Sequence, residues 1–169
     1  HDKPEVAQRM QSAVDAMDET VRQIRSTIFA LQAPPSSHER RLRTKVTEIV
    51  QWATEQLGFA PGLRMEGLLD TNVPDTLADG ATAALRASLS NVVRHSQATQ
   101  CDVVVELTDG QLRLTVTDDG IGIPEHGRRS GLANLADRAA RWSGSFTTRA
   151  MPAGGTTLHW TARVEPEGR

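Results

Sequence analysis

Three short segments of the sequence place polar residues and glycines where they could bind a charged ligand. The stretch VTDDGIGIP, residues 116–124, ends an alternating, strand-like run with Asp118 and Asp119 and then supplies Gly120 and Gly122. Aspartate and glycine also form turns, so this segment alone is compatible with a simple loop in which Asp119 is a solvated turn residue. The alternative is that one carboxylate reads a ligand while the glycines let a bulky group approach the backbone.

The second segment lies on a predicted helix and the third opens another helix. Asn91 is followed by Arg94 and His95, and SGLANLADRA begins with Ser130 and Gly131. An amide oxygen suits Mg²⁺, arginine can neutralise phosphate, and the amides of a glycine-rich loop entering a helix can bind anions. A carboxylate at the end of a buried strand can accept a hydrogen bond from the exocyclic amine of adenine. Together the segments predict an ATP site. Taken singly, Asn91 is more often an exposed amide, and His95 could only cap its helix.

Hydrophobic periodicity predicts the elements that position these segments. Helical spacing covers residues 39–57 and PDTLADGATAALRASLSNVVRHSQA, which begins with a proline and Asp75 as a capping residue. A strand is predicted at LRMEGLL, residues 63–69, and hairpins at CDVVVEL and QLRLTVTD, joined by Asp109-Gly110, and at GSFTTRAM and TTLHWTARV, joined through Gly154-Gly155. A helix over about residues 131–142 separates the hairpins. This order predicts an α/β fold with a helical layer on one face of a mixed sheet.

One long amphipathic helix is predicted ahead of that fold, over residues 4–32. Its apolar residues recur at alternating steps of four and three, which is typical of a coiled-coil or bundle seam, and charged residues lie between them. The segment APPSS then stops the helix and predicts a boundary near residue 35, with residues 1–34 and 35–169 as separate regions. The seam residues are Met10, Val14, Met17, Val21, Ile24, Ile28 and Leu31.

Composition and net charge limit the kinds of partner that this chain is expected to bind. A chain of 169 residues with 38% hydrophobic residues can bury one ordinary core, and a formal charge of -2 gives no electrostatic reason to expect nucleic acid or an anionic membrane. Cys101 is the only cysteine, which excludes an internal disulfide. The sequence contains no run of about 18 apolar residues, so no membrane span is predicted. The chain begins at His1 without a methionine, so we expect a fragment of a longer protein.

Four segments in order resemble the histidine-kinase ATP-binding domain. ALRASLSNVVRHSQAT is similar to its asparagine box, VTDDGIGIP and SGLANLADRAARWSG to its glycine boxes, and GGTTLHW to its closing strand. NVVRHS and GLANLADRA resemble the NarL class, most of all the mycobacterial DevS/DosT dormancy sensor kinases, and VRQIRSTIFALQ resembles the second helix of the dimerisation and phosphoacceptor region. The resemblance implies a Bergerat-type two-layer α/β sandwich, ATP with Mg²⁺ as ligand, and a cytoplasmic location.

The resemblance also assigns roles to individual residues. Asp118 would read adenine and Asn91 would bind Mg²⁺, while Arg94 and His95 would lie near the phosphates. Thr156 would lie beside the adenine-reading aspartate. The remaining nucleotide-binding residues implied are Gly120, Gly122, Ile123, Ser130, Gly131 and Leu132.

Two positions depart from the family pattern. Ala87 stands where this class usually has a glutamate that resembles a general base, so intrinsic ATP hydrolysis is in doubt and no catalytic residue is assigned with certainty. Phosphoryl transfer, which needs mainly positioning and charge neutralisation, could survive this loss. Only eight residues separate Gly122 from Gly131, so the predicted lid over the phosphates is very short, and Arg128-Arg129 could supply charge there or be a solvated loop.

We expect that His1 is not the histidine that receives the phosphoryl group, since the resemblance implies an acceptor helix ahead of this fragment. His1-Asp2 imitates the family's His-Asp start, but Pro4 interrupts the following turn and Val6 replaces an expected glutamine. The resemblance therefore implies that residues 1–34 are the C-terminal helix of the dimerisation and phosphoacceptor region and that residues 35–169 are the ATP-binding catalytic domain. The implied partners are the protein's own dimerisation and phosphoacceptor helices, in a homodimer of the full-length protein, and a response regulator. The fragment alone is expected to bind ATP without phosphorylating itself. The alternative is a degenerate, non-catalytic nucleotide-binding or protein-interaction module.

Overall fold

The structure, a computed structural model, describes Met17, Thr20 and residues 42–122 and 130–164. The chain divides into two compact units, residues 1–39 and 40–169. In the first unit, Met17 and Thr20 are helical, and Met17 is 69% exposed. The rest of the predicted long helix and the boundary near residue 35 lie outside the described residues and stay predictions.

The second unit contains a five-stranded mixed sheet in the order β1-β2-β3-β5-β4. β1 is parallel to β2, and the other neighbouring pairs are antiparallel. The predicted order of helices and strands is confirmed. The helices are α1 (Leu42–Leu57), α2 (Leu69–Asn72), α3 (Asp75–Asn91) and α4 (Ser130–Ala140), and α3 continues into a π-helical turn, Val92–Ser96. The strands are β1 (Gly62–Glu66), β2 (Cys101–Thr108), β3 (Gln111–Asp118), β4 (Phe146–Ala150) and β5 (Thr156–Arg163).

The core lies between the helices and one face of the sheet. Alternate residues of β2, β3 and β5 are buried, as period-two side chains of a half-buried strand require. The opposite face carries polar side chains, with His159 hydrogen-bonded through Nδ1 to the Thr115 hydroxyl at 3.1 Å. Trp160, which is fully buried, donates from Nε1 to the carbonyl oxygen of Leu135 at 3.1 Å and so fixes α4 on the sheet.

Local sequence explains the two predicted hairpin turns. Asp109 and Gly110 adopt φ angles of 51° and 71°, the positive values that a tight turn between β2 and β3 requires. Gly154 and Gly155, between β4 and β5, both have a φ of 95°. Glycine adopts this conformation without the steric cost that a Cβ brings.

Three details differ from the sequence prediction. Asp75 does not cap α3, because it is the first helical residue, and Pro74 at the N-cap makes no side-chain capping bond. The strand predicted over residues 63–69 ends at Glu66, and Leu69 instead begins the short helix α2. α4 ends at Ala140, before Trp142.

Candidate nucleotide-binding site

Asp118 ends β3 at an edge of the sheet where several predicted site residues meet. Its side chain is 7% exposed, and Oδ1 accepts a hydrogen bond from the backbone N–H of Gly120 at 2.9 Å. No described residue donates to the second oxygen. Because no buried side-chain oxygen or nitrogen of the described residues lacks a partner, this oxygen is at the surface of the site, where a ligand can reach it.

Burial makes the Asp118 carboxylate costly to ionise. Desolvation raises its pKa above the ordinary value, the Gly120 N–H opposes that shift, and the neighbouring charge of Asp119 adds to it. Cys101 is the register partner of Asp118 on β2, and burial with the nearby carboxylates raises the pKa of its thiol to about 12. A ligand group that donates a hydrogen bond to Asp118, such as the amine of adenine, would stabilise the ionised carboxylate and offset this cost.

Thr156 lies on the other side of Asp118 as its register partner on β5, and it is 7% exposed. Gly155, just before it, lies so close that a Cβ there would collide with the carbonyl oxygen of Asp118. A Cβ on Gly122 would lie 4.0 Å from Oγ1 of Thr156. The predicted neighbourhood of Asp118, Gly122 and Thr156 is present in the structure.

Gly120 joins this loop to the end of the central helix. A Cβ on Gly120 would collide with the carbonyl oxygen of Ser96, and the next residue, Ile121, donates its N–H to that same oxygen at 2.7 Å. Ser96 also donates its hydroxyl to the Val92 carbonyl at 2.7 Å. The glycine therefore permits close backbone contact between the loop and the π-helical turn.

The residues predicted to bind the metal and the phosphates lie at the end of α3 and on the π-helical turn, whose last residue, Ser96, contacts the Gly120 loop. Asn91 ends α3 and is half-buried, whereas Arg94 and His95 are exposed on the π-helical turn that leads to Ser96. Ala87, one turn before Asn91, is half-buried and packs against the core. π-helical turns occur often at functional sites, and periodicity gave no signal for this one.

Asn91 fits a Mg²⁺ site in which the protein supplies few ligands. No described residue makes a hydrogen bond to its side chain, so the amide oxygen is available. Among the described residues, no cluster of three or more His, Cys, Asp or Glu side chains could hold a metal ion. Mg²⁺ commonly takes one or two protein ligands and completes its shell with phosphate oxygens and water.

Asp119, which the sequence suggested is a solvated turn residue, makes hydrogen bonds that the sequence did not indicate. Its side chain is exposed, but Oδ1 accepts from the backbone N–H groups of Thr99 and Gln100, both at 2.8 Å, and Oδ2 accepts from the Thr99 hydroxyl at 2.6 Å. These bonds, the Thr99 hydroxyl foremost, lower the pKa of the Asp119 carboxyl. Its partners lie some twenty residues away in sequence, so no local pattern indicated them.

The remaining predicted site residues lie at the start of α4 or among the residues that the structure does not describe. Ser130 and Gly131 are the first two residues of α4, and Leu132 is half-buried against the core. Ile123 and the predicted lid arginines Arg128 and Arg129 are outside the described residues. Their roles stay predictions.

The fold and site define an ATPase domain of known type. Residues 76–166, more than half of the chain, match the histidine kinase-, DNA gyrase B- and HSP90-like ATPase family. The chain therefore belongs to this family, whose members bind ATP, and it has the family's Bergerat α/β fold.

The relatives found are sensor histidine kinases. The nitrate/nitrite sensor protein NarX of Escherichia coli K12 is 38% identical over 89 residues, which are 51% of this chain and 15% of NarX. The sensor histidine kinase NarS of Mycobacterium tuberculosis is 31% identical over 100 residues, which are 52% of this chain and 24% of NarS. This chain thus spans less than a quarter of either relative.

Solved structures show the same fold at low sequence identity. The Acinetobacter baumannii histidine kinase AdeS matches with a TM-score of 0.62 at 16% identity, covering 90% of this chain and 81% of that one. The histidine kinase domain of the Erythrobacter litoralis EL346 blue-light activated histidine kinase matches with a TM-score of 0.59 at 19% identity, covering 80% of this chain and 67% of that one. Within the described ranges, no helix is long and apolar enough to cross a membrane.

Proposed function

We propose that this domain binds Mg·ATP and donates the γ-phosphoryl group to a histidine on a dimerisation helix, from which a response regulator receives it. The observation that supports this proposal most directly is the carboxylate of Asp118, which is nearly buried, held on one oxygen by Gly120 and open to a ligand on the other. A purine that lacked a matching donor would leave this oxygen unpaired, so the site would discriminate in favour of adenine.

The other residues divide the remaining tasks. Gly120 and Gly155 let the backbone pack closely against Ser96 and Asp118, which shapes the loop around the base-binding carboxylate. Gly122 would line the nucleotide beside Thr156. Asn91 would supply an oxygen ligand to Mg²⁺, whose charge would help neutralise the phosphates. Arg94 and His95, exposed beyond Asn91, would donate hydrogen bonds to the same phosphates.

Ala87 does not argue against transfer to histidine. A phosphoryl group passes through a loose transition state that needs positioning and charge neutralisation more than covalent help from the protein. Loss of a glutamate at position 87 would therefore reduce hydrolysis by water more than transfer to a well-placed imidazole. The short segment between Gly122 and α4, with Arg128 and Arg129, remains the proposed lid.

The finer assignment is to the NarL class and, within it, to the DevS/DosT type. The sequences of the segments NVVRHS and GLANLADRA support this assignment. The matches to NarX and NarS agree with the NarL class. We further propose that the full-length protein is a homodimer and that this domain works in the cytoplasm, where ATP and a response regulator are available.

The test is autophosphorylation of this domain joined to its acceptor helix. With Mg²⁺ and ATP labelled on the γ-phosphate, we expect phosphohistidine, recognised by its lability in acid and stability in base. Asp118→Asn should reduce labelling at low ATP concentration. A protein that binds Mg·ATP in calorimetry but yields no phosphohistidine would overturn the kinase assignment and leave the non-catalytic nucleotide-binding alternative.

A further inference from the structure

Asp119 is an exposed residue with an unusually complete set of hydrogen bonds. Both of its carboxylate oxygens are used, and all three donors belong to Thr99 and Gln100, the two residues before β2. The backbone N–H of Asp119 also donates to the carbonyl oxygen of Gln100 at 3.2 Å. Both the side chain and the backbone of Asp119 are therefore hydrogen-bonded to the segment formed by Thr99 and Gln100.

This contact lies directly beside the base-reading carboxylate. Asp118 pairs with Cys101 in the register of β2 and β3. Residues 99–101 and 118–119 are therefore joined to one another at the open end of the hairpin, opposite its turn. Beyond it, Ile121 donates to the Ser96 carbonyl oxygen. The backbone between these two anchors carries Gly120, whose N–H orients Oδ1 of Asp118.

We infer that Asp119 is a positioning residue that acts through Asp118: its bonds to Thr99 and Gln100 fix the backbone that aims the Asp118 carboxylate at adenine. This inference rests on the proposed function. Without the side-chain bonds of Asp119, only its backbone bond to the Gln100 carbonyl oxygen, at 3.2 Å, and the bond from Ile121 to Ser96 hold the loop beyond Asp118, and the direction of the Asp118 carboxylate is less well defined. Small displacements of a positioning group cost affinity and selectivity even when the group itself is unchanged.

The geometry supplies a matched pair of variants. In Asp119→Asn, the amide oxygen can take the place of Oδ1 and accept both N–H groups, while the amide nitrogen can donate to the Thr99 hydroxyl, which is able to accept. All three contacts can therefore persist. In Asp119→Ala, all three are lost, although a small exposed side chain is well tolerated in itself.

The test compares ATP with purine riboside triphosphate, which has a hydrogen in place of the exocyclic amine. Calorimetry on the wild-type domain should show tighter binding of ATP. Asp119→Ala should reduce the ratio of the two affinities about tenfold, chiefly through weaker ATP binding, because only the amine contact depends on the aim of Asp118. Asp119→Asn should restore the ratio to within about twofold of the wild type. A general loss of structure would weaken both nucleotides alike.

A second pair carries the test if Asp119→Ala does not fold. Thr99→Val removes the hydroxyl donor to Oδ2 with little change of shape, and Thr99→Ser keeps it. We expect a smaller but measurable fall in the affinity ratio for Thr99→Val and none for Thr99→Ser. An unchanged ratio in Asp119→Ala, or in Thr99→Val when Asp119→Ala is unfolded, overturns the positioning role while wild-type ATP binding stands. A wild-type domain that binds neither nucleotide overturns the proposed function itself.

Discussion

Asp118 and Asp119 are adjacent in the chain, yet their carboxylates have different partners and their pKa values are shifted in opposite directions. Asp118 is nearly buried, and desolvation raises its pKa, whereas Asp119 is exposed and three hydrogen bonds from Thr99 and Gln100 lower its pKa. The carboxylate of Asp118 has one oxygen open to a ligand, whereas both oxygens of Asp119 are hydrogen-bonded to the residues before β2.

Asp118→Asn is expected to weaken ATP binding by about 1–3 kcal/mol. The amide oxygen would keep the bond from the Gly120 N–H, which leaves the amide nitrogen, a donor, facing the donor amine of adenine. Isothermal titration calorimetry measures the change, with Asp119→Asn as the matched control at the neighbouring position. Equal affinities for the wild type and Asp118→Asn would remove Asp118 from the nucleotide site.

The pH dependence of stability should differ between the two aspartates. Because the pKa of Asp118 is raised on folding, the folded protein holds this proton more tightly than the unfolded chain does. The contribution of Asp118 to the free energy of unfolding therefore falls as pH rises from the unfolded pKa through the raised folded pKa, and is constant above it. Urea unfolding of the wild type and Asp118→Asn across the acidic range should show this decreasing difference.

The contribution of Asp119 to the free energy of unfolding should change with pH in the opposite direction, which provides a control. Its pKa is lowered on folding, so its stabilising contribution is complete above the unfolded pKa and is lost as pH falls through the lowered folded pKa. The difference between the wild type and Asp119→Asn should thus increase with pH over that interval. Parallel pH curves for the wild type and both variants would contradict the two environments described above.

Gly155→Ala should destabilise the domain more than Gly110→Ala. Both glycines have positive φ, at 95° and 71°, so alanine brings a backbone cost of about 1–2 kcal/mol at each position. At Gly155 the added Cβ also collides with the Asp118 carbonyl oxygen, whereas at Gly110 nothing lies within 4 Å. Overpacking should add about 1–3 kcal/mol at Gly155 only.

Urea unfolding of the two glycine variants measures this difference. ATP binding serves as the second readout, because only Gly155 lies beside the proposed adenine site. Equal losses of stability, with ATP affinity unchanged in both, would show that the loop can move away from β5 without cost.

Ala87→Glu should raise ATP hydrolysis in a protein that contains the acceptor helix. Residues 87 and 91 are one helical turn apart, so a glutamate at 87 would lie near Asn91 and the phosphates that it is proposed to approach. We expect an increase of at least about tenfold, since a positioned general base contributes about 10²–10⁴-fold. A phosphate-release assay with Mg·ATP provides the measurement.

Ala83→Glu is the control for Ala87→Glu. Ala83 is also half-buried on α3 but lies one turn further from Asn91, so it should reproduce any loss of stability without the gain in hydrolysis. If both variants lower stability equally and neither changes hydrolysis or Mg²⁺ affinity, residue 87 does not face the phosphates.

Local signals in the sequence were sufficient for most of the helices and strands, whereas the roles of the site residues came from the resemblance of the motifs. Asp109-Gly110 predicted its turn because the positive φ angles needed there are a property of those residue types. The resemblance implied that Thr156 lies beside Asp118, and the register of β3 and β5 makes the two residues neighbours.

What the sequence did not reveal depends on contacts between distant residues or on small differences in backbone energy. The partners of Asp119 are set by the register of β2 and β3 and by the turn before β2, which no window of local sequence contains. The π-helical turn after Asn91 has the same residue types as an ordinary helix end, and α2 is only four residues long. Asp75 was assigned as a cap, although an acidic residue in the first turn also favours a helix through its charge alone.

The position of β5 makes nucleotide binding a late event in the synthesis of this domain. β5 is the last strand in the described part of the chain, yet it lies between β3 and β4 and brings Thr156 to Asp118. A nascent chain that ends before residue 156 lacks both Thr156, which lies beside Asp118 in the proposed adenine site, and the strand that joins β4 to the sheet. ATP can therefore act as a folding ligand only after translation has passed β5, and ribosome-stalled or truncated products would not be rescued by it.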